Sequence, residues 1–184
     1  MSEADSSWNE ICSDDPYGRD RTTQATTPEV ESLFEEIENA DDDDEKLELV
    51  QDLANSFAAH GTIEERIFYP AAYRDSTKEV LNEAVEEHLS AKRLFADILA
   101  LKAGDTLDAK LKVVKEQIEH HVKEEEYELF PKVRNLFDPT ALETMGAEME
   151  TLYEREMDRE PAENLKGQTK RAAPIKPKRQ RPST

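Results

Sequence analysis

The stretch HGTIEERIFYP, from His60 to Pro70, returns 61 residues later as HVKEEEYELFP, from His121 to Pro131. Both read H-x3-E-E-x4-P with no gap. A spacing of four sets His60 beside Glu64 and His121 beside Glu125 on one helix face, so each pair can converge on a single point. The same interval pairs Leu33 and Phe34 with Leu94 and Phe95, and Ile37 with Ile98. Helices one and two are therefore expected to mirror helices three and four. The expected fold is all-α, an antiparallel up-down four-helix bundle with a pseudo-two-fold internal repeat and a site on its axis. The repeat also exposes a gap, because His88 maps onto position 27, which is threonine.

Apolar residues at steps of three and four carry the helices outward from these motifs. The first should be capped by Thr27, with Pro28 at its first position and a stripe of Val30, Leu33, Phe34 and Ile37. The acidic run from Asp41 to Asp44 opens the second helix, whose stripe is Leu49, Leu53, Phe57, His60, Glu64 and Ile67, ending near Pro70. The third follows Ser76 or Thr77 and carries Leu81, Val85, His88, Ala91, Phe95 and Ile98. Ala103, Gly104 and Asp105 break it. The fourth carries Leu107, Leu111, Val114, Ile118, His121, Glu125 and Leu129 and ends about Pro131. A fifth amphipathic helix, from about Pro139 to Met157, has Leu142, Met145, Met149 and Leu152 to lay against the bundle. No segment reads as a strand.

Three of the four histidines fall on core stripes, His60, His88 and His121, while His120 is one residue off. A lone core histidine is usually only a hydrogen-bonded packing residue. Two of these three, however, bring a glutamate into the core one turn later. An uncompensated buried carboxylate costs roughly several kcal/mol, and a cation removes that cost. Cys12 is the sole cysteine, so any metal must be held by nitrogen and oxygen, a mixture suited to iron, manganese or zinc.

The ends of the chain read differently. Residues 1–26 form an acidic extension expected to be disordered, although Trp8, Ile11 and Tyr17 could pack. The bundle is expected over 27–137 and the additional helix over 138–160. A disordered basic tail is expected over 161–184, with seven basic residues and no acid from Asn164 onward. A formal net charge of −19 argues against nucleic acid as the ligand of the bundle. There is no secretory signal and no apolar run of membrane length, so the expectation is a soluble, cytoplasmic protein without a membrane partner.

The pieces VESLFEEIE, HGTIEERIFYPA, EEHLSAKRLF and HHVKEEEYELFPK, within about residues 27 to 135, resemble the hemerythrin-like, HHE cation-binding domain family. The resemblance implies a non-haem di-iron centre bridged by carboxylates and capped by histidines. It carries over to His60, Glu64, His88, His121 and Glu125 as metal ligands. Two departures stand out. Thr27 replaces the first-helix histidine, and Lys92 stands one turn after His88, where oxygen-carrying members place another histidine; Lys92 is expected not to ligate but to lie at the surface or behind the ligands. Thr27 admits three readings: a helix cap with water in the gap, a weak hydroxyl ligand, or a lost position that leaves one metal ion in place of two. Glu31 lies one turn further along and could rescue it, and Glu65 and Glu126 stand as alternates beside the proposed ligands.

The functions implied are sensing or reaction with oxygen, nitric oxide or peroxide, or iron handling, with a small diatomic or peroxide as the partner at the metal. Phe34, Phe57, Phe95 and Ile118 are expected to wall the pocket. Ferroxidase or peroxidase-like chemistry would have to come from the metal, since no nucleophile with an adjacent base and no phosphate loop is present. The competing reading is a metal-poor bundle acting as an interaction module through its acidic surface and basic tail, with no partner named by the sequence.

Overall fold

A computed structural model describes residues 28–178. The N-terminal extension, Thr27 and residues 179–184 lie outside the described residues, so the readings placed on them are not addressed below. The described chain is all helical: α1 (Pro28–Glu38), α2 (Asp43–Ile63), α3 (Lys78–Ile98), α4 (Asp105–Glu124) and α5 (Pro139–Met157), then a 3-10 helix (Pro161–Gln168). No strand occurs among the described residues. None of their helices is long and apolar enough to cross a membrane.

Local chemistry sets the helix starts. Asp42 is extended, and its carboxylate accepts from the backbone N–H groups of Asp44 at 3.0 Å and Glu45 at 2.9 Å. Glu45 in turn accepts from Asp41 N–H at 2.7 Å. With Asp43, Asp44 and Glu45 in the first turn, the acidic run complements the helix dipole. Gly104 has φ +139°, a conformation that disfavours side chains, and it ends the α3–α4 connection where the sequence places the break. Thr77 precedes α3 but does not cap it. Its hydroxyl donates to Ala72 C=O at 2.6 Å and accepts from Arg74 N–H at 3.0 Å, tying the turn that leads out of α2.

Neither Pro70 nor Pro131 ends its helix, contrary to the sequence reading. Each helix first opens into a π turn, Glu64–Phe68 after α2 and Glu125–Leu129 after α4, and then continues through Tyr69–Ala72 and Phe130–Arg134. Tyr69 N–H bonds to Glu64 C=O, and Phe130 N–H to Glu125 C=O, the wide i to i−5 pairing. The wide turn restarts the helix, so each proline falls in a first turn, where a missing N–H disrupts nothing. It also shifts the phase of the apolar stripe. Beyond Glu64 the fully buried residues are Phe68, Tyr69 and Ala72, whereas Ile67 is only half-buried.

Two apolar clusters form the core. One holds Phe34, Ile37, Val50, Leu53, Phe95, Ile98, Leu107, Leu111 and Val114, at the end of the bundle where α1 packs. The other holds Ile63, Phe68, Tyr69, Leu81, Val85, Leu129, Val133 and the α5 residues Leu142, Met149 and Leu152. Between them along α2, α3 and α4 lie the buried polar residues Glu64, His88, His121 and Glu125. The core is thus interrupted by one polar layer.

The basic tail is not disordered over 161–178, which corrects the compositional reading. Glu160 takes a left-handed turn at φ 49° and sends the chain back along the bundle. Ala162 and Leu165 then bury in the α1-end cluster, with Ala162 N–H donating to Asn55 Oδ1 at 3.1 Å. Ala172 and Ile175 pack on the other cluster, and Lys178 N–H donates to Pro70 C=O at 2.9 Å. Basic and proline content hid these apolar anchors because they are spaced singly. Leu165→Ala is expected to destabilise the full chain by about 2–5 kcal/mol, the range for truncating a fully buried leucine. Lys166→Ala on the exposed side of the same turn should change it by no more than about 0.5 kcal/mol. Urea unfolding midpoints of the two variants measure the difference, and equal midpoints would return the tail to a loose appendage.

Candidate metal centre

The last turn of α2 supplies His60, the middle of α3 His88, and the last turn of α4 His121, while Glu64 and Glu125 open the two π turns. The five residues singled out in the sequence meet here. They form two triads whose donor atoms lie within 4.8 Å of one another: Glu64 with His88 and His121, and Glu64 with His60 and Glu125. Glu64 is common to both. Its Oε1 lies 3.0 Å from His60 Nε2 and its Oε2 3.2 Å from His88 Nε2. Yet neither oxygen has a hydrogen-bond partner, although the carboxylate is wholly buried. These contacts are ion pairs where the imidazole is protonated, and imidazole and carboxylate atoms at this separation also suit a shared cation between them.

The far side of each buried imidazole is fixed. His88 Nδ1 lies 3.1 Å from Glu65 Oε1, and His121 Nδ1 lies 2.8 Å from Glu87 Oε2. Lys92 donates to both oxygens of Glu65, at 2.6 and 2.8 Å. With their Nδ1 atoms held by carboxylates, both rings turn Nε2 towards the cluster, where the two Nε2 atoms stand 3.1 Å apart. Tyr69, fully buried, donates to Glu125 Oε1 at 3.0 Å, and its hydroxyl is 3.4 Å from His88 Nε2. Phe57 sets its edge against the His88 ring and stacks on Phe95, giving part of the expected apolar wall. Phe34 and Phe95 both belong to the α1-end cluster, with Phe57 and Ile118 packed against it, and of the four only Phe57 has a described ring contact with a cluster histidine.

Electrostatics separate the two central carboxylates. Burial pushes Glu64 up, but His60 and His88 outweigh it and hold the group well below the usual range. Burial and the neighbouring Glu64 charge push Glu125 well above it, so in the metal-free protein Glu125 is the carboxyl that keeps a proton. His88 is pulled down by burial, but Glu64 and Glu65 raise it to about 9. Burial lowers His121, and the His88 charge adds to that effect. Protons thus occupy positions that a cation would take over, and the nitrogen and oxygen donor set fits a hard or borderline divalent metal.

Several participants escaped the sequence reading. Lys92 was expected at the surface or behind the ligands, and it is a buried partner of Glu65. Glu65, held as an alternate ligand, stands behind His88. Glu87 and Tyr69 were not found, and the only signal for Glu87 was its place directly before His88. Glu31 and Glu126 are half-buried and in neither of the two buried triads. His120 is exposed, as its offset from the stripe implied.

The sequence model of the hemerythrin HHE cation binding domain family matches residues 27–133, more than half of the chain. No curated protein and no solved structure matches the chain.

Because His88 and Glu125 are both raised, the stability their protons contribute is complete below the ordinary pKa values and lost as pH rises through the folded ones. The thermal midpoint of metal-free protein should therefore fall between pH 6.5 and about 9. Saturating divalent metal should flatten or reverse that slope, since it competes with the same protons. Melting curves with chelator and with metal test both parts, and a metal-free midpoint that climbs over this range would contradict the assignment. Lys92→Met leaves Glu65 without its cation and should weaken metal retention by about 10–100-fold in chelator competition.

Proposed function

The chain belongs to the hemerythrin HHE cation-binding domain family, and from that membership we propose that its buried cluster is a non-haem di-iron centre for sensing or reacting with oxygen, nitric oxide or peroxide, or for handling iron. His60 and Glu125 would hold one ion, His88 and His121 the other, with Glu64 bridging. The observation that carries this reading is Glu64 itself, shared by both triads and with both buried oxygens lacking a hydrogen-bond partner. Bound iron would supply reversible redox change and coordination positions open to a small diatomic or peroxide.

The chain's own part is to hold and shield. Glu65 and Glu87 keep the Nδ1 atoms of His88 and His121 engaged, so their Nε2 atoms stay directed inward. Tyr69 donates to Glu125 and offers a hydroxyl inside the cluster, a polar group that could meet a small ligand. Phe57 and Phe95 limit water on the α3 side. In this reading α1 to α4 form an antiparallel bundle of two repeated halves. In its favour, the two π turns recur at the same interval as the sequence motif. A cytoplasmic setting agrees with the nitrogen and oxygen donor set and the single cysteine.

The first test is metal content of protein produced with iron and purified anaerobically, with visible absorption recorded before and after air. Two ions per chain are expected, one for each triad that shares Glu64. Glu64→Gln should remove both, and His60→Ala only the ion on its own triad. One ion in the unaltered protein would mean a mononuclear centre, and none under either condition would end the di-iron reading.

A further inference from the structure

A second histidine and glutamate pair is threaded through the first. In HHVKEE, from His120 to Glu125, the spacing His120-x3-Glu124 interleaves with His121-x3-Glu125 one residue out of phase. On α4 the later pair is buried and the earlier one is turned outward, with His120 exposed and Glu124 half-buried. Across from them on α3 stands Glu87. His120 Nε2 lies 3.3 Å from Glu124 Oε1 and 3.5 Å from Glu87 Oε1. All three donor atoms fall within 4.8 Å of one another. Metal–ligand distances of roughly 2.0–2.2 Å place neighbouring donors about 3–3.5 Å apart, so the three side chains need little movement to share one ion. One imidazole and two carboxylates, completed by water, suit a first-row divalent cation such as ferrous iron or manganese.

Glu87 makes this more than a surface cluster. While its Oε1 faces His120, its Oε2 holds His121 Nδ1 at 2.8 Å. One carboxylate therefore touches both the outward triad and a histidine of the buried cluster. Glu64, His88 and His121 are closed to solvent, at 0%, 2% and 8% exposure, while His60 beside Glu64 is partly exposed. A cation that reaches Glu64 from the α3–α4 side must cross that closed layer, and the outward triad stands on that side at the same level of the bundle with its own nitrogen and oxygen donors.

We propose that Glu87, His120 and Glu124 form a labile surface site for a divalent first-row cation, from which the buried centre is loaded. The loading role rests on the reading of the buried cluster as a metal centre, whereas cation binding at the surface stands apart from it. The variant to use is His120→Ala with Glu124→Gln in the full chain, with Glu87 kept because it holds His121. Iron-loaded protein is titrated with manganese(II), and bound ion is read by electron paramagnetic resonance. Separately, the rate and final extent of ferrous iron uptake by metal-free protein are followed. The expected result is one rapidly chelatable manganese ion on the unaltered protein and its loss in the variant. Iron uptake should be slower in the variant, with equal final iron content and equal metal-free melting midpoints. Manganese binding that survives in the variant overturns the surface site. Loss of manganese with unchanged uptake rate overturns the loading role. If neither protein retains chelator-resistant iron, the buried-centre reading and the loading role fail together, while the manganese count still decides the surface site on its own.

Discussion

Two carboxylates, Glu64 and Glu125, lie buried in the middle of a helical bundle, between two apolar clusters that offer them little beyond the Tyr69 hydroxyl. That constraint organises everything near it. Three imidazoles face the pair, and behind two of them stand the further carboxylates Glu65 and Glu87, one neutralised by a buried lysine. Charge is therefore arranged in shells. Without metal the arrangement survives by retaining protons on His88 and Glu125. A buried ion pair is weak evidence for stability, because desolvation offsets attraction, so such a layer is better explained by what it can bind. The family to which the chain belongs is a cation-binding one, and the chemistry of the layer agrees.

Much of this was legible in the sequence, and the reason is physical. Stripe and ligand positions share one periodicity, so a motif that puts His and Glu four apart also states which face they occupy. His60, Glu64, His121 and Glu125 could be placed on core faces for that reason, and His88 by its apolar stripe alone. The limits are equally specific. Proline looked like a stop at residues 70 and 131, because the rule applies to continuous α-helix and the π turn evades it. Tyr69 was missed because the same turn rotates it into the core, a phase no α-helical wheel assigns. Lys92 was expected at the surface or behind the ligands, and the buried charge of Glu65 decides for the second. The ordered tail was missed because composition averages over the few residues, Ala162, Leu165, Ala172 and Ile175, that anchor it.

The two motif segments are alike in their π turns and unlike in detail. Tyr69, directly after one π turn, corresponds to Phe130 after the other, and only the tyrosine carries a hydroxyl to Glu125. α5 and the tail pack on α2 and its π turn, and the 3-10 helix spans α2 and α3. One side of the polar layer is thus backed by the C-terminal segment. On the other side, Glu87, His120 and Glu124 face outward.

A π turn is an α-helix with one residue inserted, and this gives each ligand helix a counting property. Deleting any single residue within 64–68 would let the helix close as continuous α, rotating all that follows by about 100° about the axis. Phe68, Tyr69 and Ala72 would swing out of their cluster, and Pro70 would arrive mid-helix, where its ring clashes with the preceding turn. The interval from His60 to Pro70 therefore behaves as a ruler of fixed length. Side chains along it can be exchanged one at a time, but its number of residues cannot change, and the same holds from His121 to Pro131. The equal length of the two motifs is then a mechanical requirement carried in the backbone, independent of what the buried cluster binds.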